Sequence, residues 1–142
     1  MRIAGALSLL LLAGACGSGT PEEERPTQEM MAAAKPDVHQ IGALELARMM
    51  DNGDVAVIDV RTAEEFAEGH IKGALNMPLD SFDPDEVMAL EADDVVLYCR
   101  SDRRSNMAAA QLSDATGEPV THLDGGIVAW QEAGQSVALG AS

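Results

Sequence analysis

The sequence predicts an α/β fold with a central parallel sheet of about five strands, flanked by helices on both faces. Two runs carry most of this expectation. Val55-Ala56-Val57-Ile58-Asp59-Val60 and Val95-Val96-Leu97-Tyr98 are short and continuously apolar, the pattern of strands covered on both faces rather than on one. A third observation is the regular alternation of strand-like and helix-like segments from Asp37 onward, which demands crossover connections and hence parallel pairing.

The elements follow in order. Val38 to Ile41 reads as a short strand. Ala43 to Met50 reads as a helix whose Leu44, Leu46, Ala47 and Met50 can supply a buried face. Asn52-Gly53 is a turn before the first central strand. Thr62 can N-cap a short helix with Glu64 and Glu65 in its acidic first turn. Ala74 to Pro78 is read as a short strand, and Asp83-Pro84 opens a helix to about Leu90. Val95 to Tyr98 is the second central strand, Ser105 to about Ala115 a helix, and Val120 to Leu123 a further strand. Gly126 to Ala133 forms the last helix, closed by Gly134.

A chain of 142 residues has room for one domain of about 100 residues with extensions. Four aromatic residues against 46% hydrophobic content place the core on Ala, Val, Leu, Ile and the eight Met. The net charge of −15 argues against nucleic acid, whose phosphates would be repelled.

The first residues read differently. Met1-Arg2 gives a positive start, and Ile3 to Leu12 is an apolar run too short for a stable bilayer span. Leu12-Ala13-Gly14-Ala15-Cys16 then brings small residues into a cysteine, the form of a secretory signal peptide. The segment resembles the lipobox of bacterial lipoproteins, although Ala13 stands where Leu is usual. That resemblance implies lipidation of Cys16 and a periplasm-facing membrane anchor; Gly17, in place of Asp, slightly favours the outer membrane. The expected organisation is a signal peptide over 1–15, an acidic, Pro-containing tether over 16–36, the folded domain over 37–139 and a tail over 140–142. A lipid on Cys16 would leave Cys99 without a disulfide partner. A lone thiol in an oxidising compartment is open to damage, which favours a chemical reason for its presence.

The chemistry concentrates at Tyr98-Cys99-Arg100-Ser101-Asp102-Arg103-Arg104-Ser105. A strand ends in a cysteine, three arginines follow within five residues, and a helix begins. Positive charge and a helix N-terminus both favour a thiolate over a thiol. In open parallel sheets ligands bind beyond the carboxyl ends of the strands. Cys99 stands at one such end and Asp59 to Arg61 at another.

With these residues in view, the chain resembles a single-domain rhodanese, a sulfurtransferase, from about Val38 to Val137. The resemblance rests on four motifs in order: Asp59-Val60-Arg61 with Glu64, Glu65 and Phe66; Gly69-His70-Ile71-Lys72-Gly73-Ala74 with Asn76 and Pro78; the Cys99 to Ser105 loop; and Leu123-Asp124-Gly125-Gly126 with Trp130 and Gly134. It implies the rhodanese fold and a catalytic Cys99 that carries sulfane sulfur as a persulfide between a donor such as thiosulfate and a thiophilic acceptor, cyanide or a thiol. The loop residues Arg100, Ser101, Asp102, Arg103, Arg104 and Ser105 are then substrate-binding, through backbone N–H groups and guanidinium groups that can hold an anion. A thiol-bearing protein is one possible acceptor, and a monomer is expected.

Two alternatives accompany this reading. One is a non-catalytic persulfide carrier or interaction module of the same fold, against which an intact Cys99 argues. The other is a phosphatase or arsenate reductase. Those relatives space cysteine and arginine one residue further apart, which would put arginine where Ser105 stands; four residues between Cys99 and Arg104 make a smaller cradle. The family commonly has Gly at position 102. Asp102 is expected either to oppose the arginines near the sulfur or to pair with Arg100 or Arg103.

Other candidates read as structural. Asp59 and Arg61 suit a supporting ion pair, His70 a packing or hydrogen-bonding role, and Trp130 and Tyr98 the core. His39, His70 and His122 have no metal-ligand spacing, so neither a metal nor another cofactor is expected.

Overall fold

The computed structural model describes residues 35–53 and 55–140. The expected signal peptide, the expected lipidation at Cys16, nearly all of the expected tether and the last residues of the tail lie outside them.

Among the described residues, seven strands and five α-helices follow one another: β1 Val38–Ile41, α1 Ala43–Asn52, β2 Val55–Asp59, α2 Ala63–Glu68, β3 His70–Ile71, β4 Leu75–Asn76, α3 Pro84–Met88, β5 Asp94–Tyr98, α4 Arg103–Thr116, β6 Val120–Leu123, α5 Gly126–Glu132 and β7 Val137–Ala138. A single 3₁₀ turn covers Leu79–Ser81. Five strands form one sheet in the order β1-β6-β5-β2-β4, and every pairing in it is parallel.

Alternation along the two central strands sorts the core onto two faces. Val57, Val96, Tyr98 and Leu123 meet Leu46 of α1, Phe66 of α2 and Ile127 and Trp130 of α5. Ile58, Leu97, Cys99 and Val120 meet Val87 of α3 and Ala108, Ala109 and Leu112 of α4. Both faces of each central strand are therefore dry, which is why the sequence shows unbroken apolar runs there. Leu46, Ile58 and Leu97 have no exposed surface at all, and each such side chain stabilises the fold by about 1.5–3 kcal/mol.

The parallel sheet of five strands with helices on both faces stands as the sequence predicts it. The details differ where local signals are weak. The strand expected over Ala74 to Pro78 shrinks to Leu75–Asn76, because Pro78 then leads into the 3₁₀ turn. A second, two-stranded antiparallel sheet pairs β3 with β7, His70 opposite Ala138 and Ile71 opposite Val137. Two-residue strands carry no periodicity to read. α4 begins at Arg103, two residues earlier than expected, so Arg103 and Arg104 occupy its first turn.

Tyr98 joins the two sheets. It is fully buried on β5, and its hydroxyl accepts the backbone N–H of Ile71 at 3.1 Å. Burial, together with the nearby Asp59 carboxylate, pushes its ionisation far above the ordinary tyrosine range, so it stays neutral. Tyr98→Phe removes the acceptor and leaves a buried N–H unsatisfied. The expected cost is about 1–3 kcal/mol, visible as a lowered urea midpoint with an unchanged slope; an unaltered midpoint would show that the hydroxyl does not tie the sheets together.

Candidate active site

The carboxyl ends of β2 and β5 lie side by side, with Asp59 in register with Tyr98. Asp59 is fully buried and Arg61 almost so. The Asp59 carboxylate accepts from the backbone N–H of Arg61 at 2.9 Å and from its Nε at 3.0 Å. The guanidinium also donates to Gly69 O at 2.7 Å and lies over the Tyr98 ring, 5.7 Å from its centroid. Burial works against the Arg61 cation, but the Asp59 carboxylate outweighs it and keeps the group charged. The Asn76 amide closes the corner by donating to Asp59 O and Arg61 O at 3.1 and 2.9 Å.

Cys99 follows Tyr98 and is only 1% exposed. Among the described residues, the polar group that meets its sulfur is the Ser105 hydroxyl, at 3.5 Å. Beyond Cys99 the chain bends through Arg100, Ser101 and Asp102 into the N-terminus of α4. None of the six backbone N–H groups of residues 100–105 meets an acceptor among the described residues; Asn106 N–H makes the first helical bond, to Asp102 O at 2.9 Å. A row of open N–H donors at the start of a 14-residue helix favours bound negative charge.

α5 holds this loop from outside. Ile127 N–H donates to Cys99 O at 2.9 Å and Val128 N–H to Arg100 O at 3.3 Å. Gly126, at φ +56°, sits so close that a Cβ there would stand 2.5 Å from Cys99 O and from Ser101 O. Gly126 is required by both its backbone conformation and this contact.

The three arginines separate. Arg100 and Arg103 are exposed, with no ion pair among the described residues. Arg104, expected in the cradle with them, instead makes a two-pronged pair with Glu65, at 2.6 and 2.9 Å. Glu65 also belongs to a capping box: its backbone N–H donates to Thr62 Oγ1, and its carboxylate accepts from Thr62 N–H. One carboxylate thus fixes both the start of α2 and the first turn of α4.

The Asp102 carboxylate turns towards the start of α5. It pairs with neither Arg100 nor Arg103; Oδ1 accepts the backbone N–H of Gly125 at 2.8 Å. Its backbone lies at φ −139°. The carboxylate is a strut between the loop and the start of α5. The Ser105 side chain faces inward while its backbone N–H stays with the open row. It is fully buried, donates to Asp102 O at 3.0 Å and touches His122 Nδ1 at 3.2 Å as well as the Cys99 sulfur. Ser101 is exposed at the loop tip. His70 is buried, its Nδ1 3.0 Å from Phe66 O and its ring stacked on Phe66.

The sequence reading missed His122. The signal that finds it is strand alternation, not metal-ligand spacing. His122 lies beside Leu97 in the sheet, on the face that Leu97 shares with Cys99.

Over residues 42–133 the chain matches the rhodanese-like domain family. It is 39% identical to a sulfurtransferase of Allochromatium vinosum over 99 residues, which cover 68% of this chain and 92% of that protein. It is 36% identical over 104 residues to an uncharacterised protein of Synechocystis, covering 73% of this chain but 58% of the relative. Among solved structures, a thiosulfate sulfurtransferase of Pseudomonas aeruginosa superposes with a TM-score of 0.67 at 29% identity, over 77% of this chain and 21% of that one.

Two outcomes test this geometry. The Arg104 guanidinium holds Glu65 down to about 2, from an ordinary value of 4.5. A carboxylate lowered in the folded state contributes stability above its unfolded value and loses it as pH falls through the folded one. Wild type should therefore exceed Glu65→Gln in urea stability at neutral pH, with the difference shrinking from about pH 4.5 towards pH 2; a difference independent of pH would rule out the ion pair as its source. Asp102→Gly removes the acceptor of the Gly125 N–H. It should lower stability by on the order of 1–2 kcal/mol, whereas a carboxylate that only repelled its surroundings would make the variant more stable.

Proposed function

The chain belongs to the rhodanese-like family, and on that premise we propose that it is a sulfurtransferase that carries sulfane sulfur on Cys99. The observation that supports this most directly is the division of donors at the loop. The Cys99 sulfur has its polar contact with Ser105, while the six N–H groups of residues 100–105 remain open for an anion attached to that sulfur.

The chemistry takes two steps. The Cys99 thiolate attacks the outer sulfur of a donor such as thiosulfate. The sulfur–sulfur bond of the donor breaks, sulfite leaves with the bonding electron pair, and Cys99 becomes a persulfide anion. A thiophile then attacks the outer sulfur: cyanide leaves as thiocyanate, a thiolate as its own persulfide, and Cys99 returns as thiolate. No net oxidation is needed. Splitting the transfer this way is covalent catalysis and gives ping-pong kinetics.

Arg100 and Arg103 supply attraction for a small anionic donor at the rim. In a chain of net charge −15 such exposed cations stand out as the local place for an anion. Arg104, tied to Glu65, shapes the loop and contributes its field from a fixed position. The cysteine-to-arginine spacing favours sulfur over phosphate or arsenate, as does Ser105 in the place an arginine would need to occupy. The lipobox-like segment ending in Cys16 supports placing this activity at the cell envelope.

Exposure to thiosulfate should add the mass of one sulfur atom to the peptide containing Cys99, and Cys99→Ser should lack both the adduct and thiocyanate formation with cyanide. Absence of the adduct in folded wild type would sink the mechanism. A stoichiometric adduct without turnover would mark the protein as a carrier.

A further inference from the structure

His122 is a buried titratable group with no part in the two steps above. Its side chain has no exposed surface, Nδ1 lies 3.2 Å from Ser105 Oγ, and Nε2 has no hydrogen-bond partner among the described residues. Ser105 Oγ in turn lies 3.5 Å from the Cys99 sulfur and 3.0 Å from Asp102 O. Three groups therefore surround a hydroxyl that has one proton to give.

Counting that proton decides the arrangement. Asp102 O can only accept. The Cys99 sulfur can donate as a thiol but can only accept as a thiolate or persulfide. While Cys99 is a thiol, Ser105 can donate to Asp102 O and accept from its other neighbours. Once the sulfur is ionised, its stabilisation by Ser105 requires the hydroxyl proton to turn towards it. If His122 Nδ1 were a bare acceptor it would compete for that proton, and Nε2–H would be a buried donor with nothing to bind. An orphaned buried N–H is the rarer and costlier arrangement.

We propose that His122 is a positioning residue for Cys99: as the neutral Nδ1–H tautomer it donates to Ser105 Oγ, so that the Ser105 proton is free to be given to the ionised Cys99 sulfur. Neutrality agrees with its surroundings. Burial drives the His122 imidazole below its ordinary range, while the carboxylates of Asp102, from the loop, and Asp124, from the β6–α5 connection, pull the other way. Among the described residues its hydrogen-bonding neighbour is Ser105 on α4. This inference rests on the sulfurtransferase reading only in taking Cys99 as the reacting group.

The test reads the sulfur anion without sulfur transfer. In the wild-type protein, ¹⁵N shifts of the His122 ring at neutral pH should show Nδ1 protonated and Nε2 bare. Iodoacetamide alkylation of Cys99 against pH should give a midpoint that rises in Ser105→Ala and in His122→Leu, with alkylation at neutral pH slowed about three- to tenfold. His122→Asn, whose amide nitrogen can stand near the Nδ1 position, should recover much of the difference. The double variant His122→Leu with Ser105→Ala should be no slower than Ser105→Ala alone, because His122 acts through that hydroxyl. An Nε2–H tautomer, a His122→Leu profile superimposable on wild type, or additive effects in the double variant would each overturn the proposal. Should His122→Leu fail to fold, the wild-type ring shifts and the Asn variant decide. Failure to form a persulfide would remove the sulfurtransferase reading and leave this alkylation result standing.

Discussion

The buried pair between Asp59 and Arg61 is the constraint on which the site depends. Two opposite charges in a dry interior are costly unless each is fully engaged, and removing one partner of such a pair costs about 3–5 kcal/mol. Here the engagement reaches in three directions. The carboxylate takes the backbone N–H and guanidinium of Arg61; the guanidinium takes Gly69 O; and its flat face lies over Tyr98. Those contacts join the end of β2 to the start of the small β3–β7 sheet and to the residue immediately before Cys99. The sulfur stands where it does because its neighbour in sequence cannot move.

A second consequence concerns the basic residues of the loop. Arg100, Arg103 and Arg104 look equivalent in the sequence, yet the fold spends them differently. Arg104 is paired with a carboxylate that α2 also needs for its own capping, so it works as a rigid tie. Arg100 and Arg103 are exposed and make no ion pair among the described residues of an otherwise strongly acidic chain. Rim cations of this kind chiefly raise encounter rates and are screened by salt, whereas the fixed N–H groups beneath them act at contact distance.

Much of this was legible in the chain, for identifiable reasons. β2 and β5 announce themselves because burial on both faces removes polar alternation, and Thr62 with Glu65 spells out a helix start. Cys99 at a strand end before a helix is a local pattern. What could not be read depends on distance in sequence. Arg104 and Glu65 are 39 positions apart, and Asp102 and Gly125 are 23 apart. β3 and β7 are two residues each, too short to show a period. His122 is an intermediate case: its face could be deduced from the alternation of β6, but its role required knowing that Ser105 lies opposite.

The contact at Gly126 bears on how this site can diversify. Backbone stands directly against backbone there, with no side chain between Gly126 and the Cys99 loop, so the position of the loop is set by two pieces of main chain in touch. Side-chain replacement along residues 100–104 can retune charge, reach and solvent access while the loop keeps its dimensions. Accommodating a bulkier reacting group would require α5 to shift as a body, or an inserted residue to lengthen the loop.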